Sequence, residues 1–115
     1  MLCNEIMDLD PLIRFAAILN DNAEIVAGGE REKISNSLSP EEVKMSLYYA
    51  KSRREIRGHL SHRIGEEIYS LTAYEKVKQI AIPLKGKDLL LISAETSANP
   101  IQIIDQVFEL IKKQP

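Results

Sequence analysis

The chain has 115 residues, of which 44% are hydrophobic and 28% charged, with a net charge of −2. That length is one domain, able to bury roughly two-thirds of its unfolded surface without help from a disulfide or a metal. The slightly acidic balance argues against a dedicated nucleic-acid binder, whose domain would be strongly basic.

Leu2, Ile6 and Leu9 recur at helical spacing, and Pro11 closes that first segment. Cys3 is the only cysteine. It can form no internal disulfide, fits a reducing compartment, and reads as a free thiol near a flexible terminus. No basic stretch followed by a long apolar run opens the chain, so no signal peptide is expected. The longest apolar runs, such as "LLLI" at 89–92, are far too short to cross a bilayer. The expectation is a soluble, cytoplasmic protein.

"IRFAAILNDNAEIVAGG" follows. Two apolar runs, 13–19 and 24–27, flank Asn20-Asp21-Asn22, residues that tolerate turn conformations, and predict a β-hairpin. The first run does not alternate, so both faces of that strand should be covered. Gly28-Gly29 should end the second strand through positive φ or a close backbone approach. The pair lacks the G-x-x-x-x-G-K-[ST] spacing of a phosphate loop, and no helix follows it directly.

After a polar stretch at 30–38, "SPEE" starts a long helix. Ser39 is the expected N-cap, Pro40 the first helical residue and Glu42 the capping-box partner. Val43, Leu47 and Ala50 form one stripe, with Met45, Tyr49 and Ile56 beside it. Gly58 and Gly65 place the helix end between 57 and 65. Three strands follow. "EIYSLTAY" alternates Tyr69, Leu71 and Ala73 against Ser70 and Thr72. "KVKQIAIPL" carries Pro83, which belongs near a strand end. "DLLLIS" is apolar throughout. Asn99-Pro100, with Gln102, then opens a last helix whose stripe is Ile101, Ile104, Phe108 and Ile111, widened by Ile103 and Val107. The order αββαβββα, with strands apolar on both faces, predicts an α/β sandwich: a five-stranded antiparallel sheet with helices on both sides, in one domain over 1–115.

Charge is uneven. Lys51, Arg53, Arg54, Arg57, Arg63 and both histidines, His59 and His62, fall within 51–63. Bases at the end of a helix whose first turn holds Glu41 and Glu42 suit its dipole. They could equally form a docking surface for an acidic partner. Base-stacking aromatics do not alternate with the arginines, which weighs against nucleic acid. His59 and His62, three apart, could share a metal, yet no further ligand is placed nearby in sequence; ordinary surface or interface histidines are expected. No G-x-S-x-G elbow is present, Cys3 has no neighbouring histidine, and the four tyrosines suit core or interface anchoring. Neither a catalytic set, a metal site nor a cofactor is expected.

The opening hairpin, the capped helix from Ser39 and the "LLLIS" strand leading into the last helix resemble the roadblock family of dynein light-chain-like proteins, which share a profilin-like or longin-like architecture. "RFAAILN…IVAGG…MSLYYAKSRR" and "YEKVKQIAIPL" are also similar to a family of small archaeal proteins with no assigned activity. The roadblock resemblance implies a symmetric homodimer that pairs the central helix and the neighbouring strand, here 39–60 and 67–74. It implies a non-enzymatic scaffold or regulator, with a small Ras-like GTPase as the leading partner. The implied dimer seam is Val43, Leu47, Ala50, Tyr69, Leu71 and Ala73. Arg53, Arg54, Arg57 and Arg63 would border it as a docking face. The alternative is a small-ligand sensory domain of PAS or profilin-like type, favoured by a pocket of roughly 300 Å³ or more between sheet and helix.

Overall fold

The computed structural model describes residues 2–30 and 40–114. Its elements are α1 (Leu2–Met7), β1 (Ile13–Leu19), β2 (Ile25–Glu30), α2 (Pro40–Arg57), α3 (Ser61–Ile64), β3 (Ser70–Ala73), β4 (Lys78–Pro83), β5 (Leu89–Ala94) and α4 (Pro100–Lys112), with a 3-10 turn at Gly58–Leu60 joining α2 to α3. The five strands form one antiparallel sheet in the order β2-β1-β5-β4-β3. The expected sandwich is therefore present, with the short α3 as an addition. Ser39, the expected N-cap of α2, lies outside the described residues.

Alternation along the central strands divides the core in two. Ala16 faces Ile92 and Ile18 faces Leu90 on one side, where Ile80 and Ile82 of β4 join them beneath α1 and α4. Leu19, Leu89 and Leu91 point the other way and pack under α2. Each fully buried Leu or Ile contributes about 1.5–3 kcal/mol, so β5, apolar on both sides, anchors both layers.

Local chemistry sets the turns. The Asn20 side-chain oxygen accepts from the backbone N–H groups of Asn22 (2.9 Å) and Glu24 (3.0 Å), closing the β1–β2 hairpin. Asn99 caps α4 by accepting from the Gln102 N–H at 3.2 Å, with Pro100 in the first turn. Pro83 is the last residue of β4, where its missing donor costs no internal ladder bond.

Three expectations need correction. β2 does not stop at Gly28-Gly29 but continues to Glu30, because both glycines adopt positive φ inside the strand (82° and 150°). Cys3 is not on a loose terminus: α1 buries it against the hairpin. Ile101 is exposed on α4, whose buried residues are Ile103, Ile104 and Val107.

Candidate partner-binding site

The residues singled out on the long helix divide between two faces. Leu47 and Ala50 are 6% and 3% exposed and pack with Leu19, Leu89 and Leu91, with Val43 partly buried beside them. They hold α2 onto its own sheet, and the burial of Leu47 and Ala50 leaves those two almost no surface for a seam. The stripe is a buried face within its own domain rather than an intermolecular one.

The basic residues divide in the same way. Lys51 is 4% exposed. Its ammonium donates to the Lys87 carbonyl and stands 3.8 Å from Asp21. Arg54 donates to the carbonyls of Asp88, Gly86 (3.1 Å) and Leu84 (3.5 Å), closing the β4–β5 turn. Charge-assisted bonds of this kind secure the turn carbonyls of Gly86 and Lys87 and add to the Leu84 N–H that the Asp88 carbonyl already accepts. Arg54 is therefore a structural residue rather than a docking one. Arg57 pairs with Glu67 at 3.4 Å, and the second carboxylate oxygen of Glu67 is buried with no hydrogen-bond partner among the described residues. Arg53 and Arg63 make no hydrogen bond or ion pair with a described residue. His59 and His62 are exposed, and no group of three potential metal ligands gathers among the described residues.

The outward side of α2 and its extension is apolar as well. Met45, Tyr48, Tyr49, Ile56, Leu60 and Ile64 are all exposed, Ile56 to 66% and Ile64 to 79%. A helix apolar on opposite sides is normally covered on both. The neighbouring edge strand carries further exposed apolar residues. Leu71 of β3 lies opposite Ile80 on the α4 side of the sheet, and the Tyr69 ring meets Phe108 edge-on at 6.4 Å between centroids. Ser70 and Thr72 pair with Ala81 and Gln79 and face the α2 side. Tyr69, Leu71 and Ala73 thus sit on the opposite face of the sheet from α2. Only an interface that wraps the free β3 edge can include both sets.

Between α2 and the β3–β4 hairpin lies an open groove of about 630 Å³, walled by Met45, Tyr49, Tyr74 and Val77 with Arg53 and Gln79 among its polar groups. The space between α2 and the sheet, lined by Phe15, Val43 and Leu47, holds only about 90 Å³. Two further hollows, about 430 and 470 Å³, meet at Cys3 and Gly28 on the α1 side of β2. Burial pushes the Cys3 thiol above its ordinary pKa, opposed by a backbone hydrogen bond from Ile18.

Sequence reasoning placed Met45, Tyr49 and Ile56 beside the core stripe, read Tyr48 with the other tyrosines as a core or interface anchor, and did not single out Leu60 or Ile64. The available signal was a helix whose apolar residues go nearly all the way round, with no wide polar side.

A sheet ordered β2-β1-β5-β4-β3, with one long helix on one face and the first and last helices on the other, is the roadblock fold. Residues 1–114 match a family of unknown function (DUF6659), and the chain belongs to that family. Solved structures carry the same architecture at low identity. A Roadblock/LC7 domain from Streptomyces avermitilis is 12% identical, with TM-score 0.73 over 96% of this chain and 89% of its own. The gliding protein MglB from Thermus thermophilus is 12% identical, with TM-score 0.74 over 95% of this chain and 82% of its own. MglC from Myxococcus xanthus is 8% identical, with TM-score 0.59 over 98% and 96%. These are bacterial proteins, and the archaeal likeness stays an expectation of the sequence. No curated protein matches the chain. None of the described helices is long and apolar enough to cross a membrane.

Proposed function

We propose that the protein is a non-enzymatic interaction module. It acts as a roadblock-type homodimer that scaffolds or regulates a partner, with a small Ras-like GTPase as the partner class. One observation carries this: α2 is already buried along its inner face and still presents a continuous apolar outer face, next to an unpaired edge strand. An exposed apolar surface of this kind marks an interaction site.

The seam runs along Met45, Tyr49 and Ile56 of the helix and wraps the β3 edge through Tyr69, Leu71 and Ala73. The groove between α2 and the β3–β4 hairpin receives the helix of the second copy. The roadblock fold, shared with a gliding protein among others, supports the partner class. The sensory-domain alternative keeps one observation in its favour: the open groove between α2 and Val77–Gln79, about 630 Å³, has the size for a small ligand, whereas the space deeper under the helix, about 90 Å³, does not.

Light scattering tests the dimer. The expected mass is twice 13.0 kDa for the wild type, falling to the single-chain value for Tyr49→Arg. Leu47→Arg would be a poor probe, because it places a charge in the core and unfolds the chain. A wild-type monomer overturns the homodimer. The partner class is tested by surface plasmon resonance with purified small Ras-like GTPases loaded with GDP or a GTP analogue. Nucleotide-dependent binding is expected, and no binding in either state overturns that assignment.

A further inference from the structure

α2 covers only part of its side of the sheet. Its buried residues rest on β1 and β5 through Leu19, Leu89 and Leu91. Thr72 of β3 and Gln79 of β4 face the same side but lie past the strands on which the helix sits. The β3–β4 hairpin is tight, with the Tyr74 N–H donating to the Val77 carbonyl at 2.8 Å, so Tyr74 is held beside Val77 across from the helix. The step between helix and hairpin is the groove of about 630 Å³. That is the size of a small-molecule site.

The lining has a chemical direction. Met45, Tyr49 and Arg53 follow one another at steps of four residues along α2 and form one wall. Tyr49 and Tyr74 are 50% and 49% exposed, so both rings keep surface on which a flat ring can stack. Arg53 is half-buried at one end of this wall and makes no hydrogen bond or ion pair with a described residue. A guanidinium offers five donors and no acceptor, and a carboxylate meets it with two parallel bonds. Ser46 and Gln79, which the groove shares with the small hollow under the helix, add polar groups whose side chains bond no other described residue. The acids of the groove do not oppose an anion at Arg53. Glu42 stands eleven residues away, about 16 Å along the helix, which is about two Debye lengths at physiological salt. Glu75 is exposed at the hairpin tip next to the equally exposed Lys76, which offsets its charge.

We infer that this groove binds a planar aromatic carboxylate, with its acid group on Arg53 and its ring between Tyr49 and Tyr74. The ligand fills the space assigned above to the helix of a second copy, so the two occupants exclude each other and the ligand regulates assembly. The binding site stands on the groove itself; the exclusion rests on the homodimer proposed above.

The probe is 2-naphthoate, with uncharged 2-naphthamide as its counterpart, followed through the backbone amides of the full chain by NMR. Saturable shifts are expected along 45–53 and 74–79, with 2-naphthoate bound at least about tenfold more tightly than 2-naphthamide. Arg53→Gln should erase that difference by weakening the acid alone. Tyr74→Ala should weaken both compounds alike, and circular dichroism checks that both variants are folded. No saturable shift at millimolar 2-naphthoate, equal affinity for the two compounds, or a difference that survives in Arg53→Gln overturns the site. The exclusion is read by light scattering over a dilution series. With 2-naphthoate at about ten times its dissociation constant, that of the homodimer should rise about a hundredfold, because both copies must be empty to pair. A homodimer that keeps its affinity with both grooves filled overturns the exclusion. A wild-type monomer that binds 2-naphthoate as described overturns the homodimer and leaves the site standing.

Discussion

The two edges of the sheet are built differently. β2 is irregular: its register against β1 slips between Ile18 and Leu19, and two of its six residues are glycines at positive φ. Glu24 precedes it and Glu30 ends it. A bulge, kinks and charge are the devices that keep an edge strand from pairing with a stranger. β3 has none of them. Its four residues pair with β4 in unbroken register, carry no charge and no glycine, and have exposed Tyr69 and Tyr74 on either side. One edge is closed by its own geometry and the other is open. This contrast is the ground on which the proposed interface between copies is placed at β3.

The largest effects should come from breaking what closes β2. A Cβ at Gly28 would lie 2.1 Å from the Ala16 carbonyl oxygen and 2.9 Å from the Cys3 sulfur, at φ 82°. The backbone atom cannot give way, so Gly28→Val should destabilise the chain by about 3 kcal/mol or more, measured by urea unfolding. At Gly29 a Cβ meets nothing within 4 Å, so Gly29→Ala bears only the cost of its φ of 150°, about 1–2 kcal/mol. Equal losses at the two positions would show that the close approach to β1 is not what shapes this edge.

Next in size is the clamp between α2 and the β4–β5 turn. Arg54→Ala removes the donor to the Leu84 and Gly86 carbonyls and leaves the Asp88 carbonyl with the Leu84 N–H alone. A loss of about 1–3 kcal/mol is expected, with no change in the mass of the assembly. A variant with unchanged stability and weakened partner binding would return Arg54 to the docking face.

Smaller in stability, but decisive between the edges, are lysines placed on each. Leu71→Lys on β3 should cost the monomer under about 1 kcal/mol, since Leu71 is already partly exposed, yet halve the mass seen by light scattering. Val26→Lys on β2 falls at a still more exposed site and should leave the mass untouched. The opposite pattern would move the interface to the other edge.

Much of this fold could be read from the sequence because separate signals agree. Asn99, Pro100 and Gln102 announce α4, and the apolar run at 89–92 announces a strand covered on both faces. The site was harder. On α2, Val43, Leu47 and Ala50 compete with Met45, Tyr49 and Ile56 for the sheet, and periodicity cannot rank two apolar stripes on one helix. The sheet-facing side is settled by Lys51 and Arg54, whose cations must reach carbonyls of a turn more than 30 positions away in the chain. That is tertiary information. Cys3 was misjudged for a related reason. Nothing in its neighbours announces that α1 is tied down by the hairpin, where the side-chain-free Gly28 leaves space for the sulfur.

Cys3 also supplies the finest probe of the closed edge. Its sulfur lies behind β2, and burial raises its pKa above the ordinary value. Fewer thiols are ionised at pH 8 than in an unfolded chain, and the thiolate is the reactive species. Iodoacetamide should therefore label the folded protein at least about tenfold more slowly than the protein in urea. The sign of the linked stability effect follows. The folded thiol holds its proton to higher pH than the unfolded one, so this contribution is constant below the unfolded pKa and declines as pH rises from there through the folded value. Cys3→Ser should flatten that decline. If β2 is closed as its bulge and glycines imply, labelling will follow rare opening of α1 or β2 and will not respond to dimer dissociation. Labelling that accelerates on dilution would mean that Cys3 is sealed by the second copy, and the contrast between the two edges would fall.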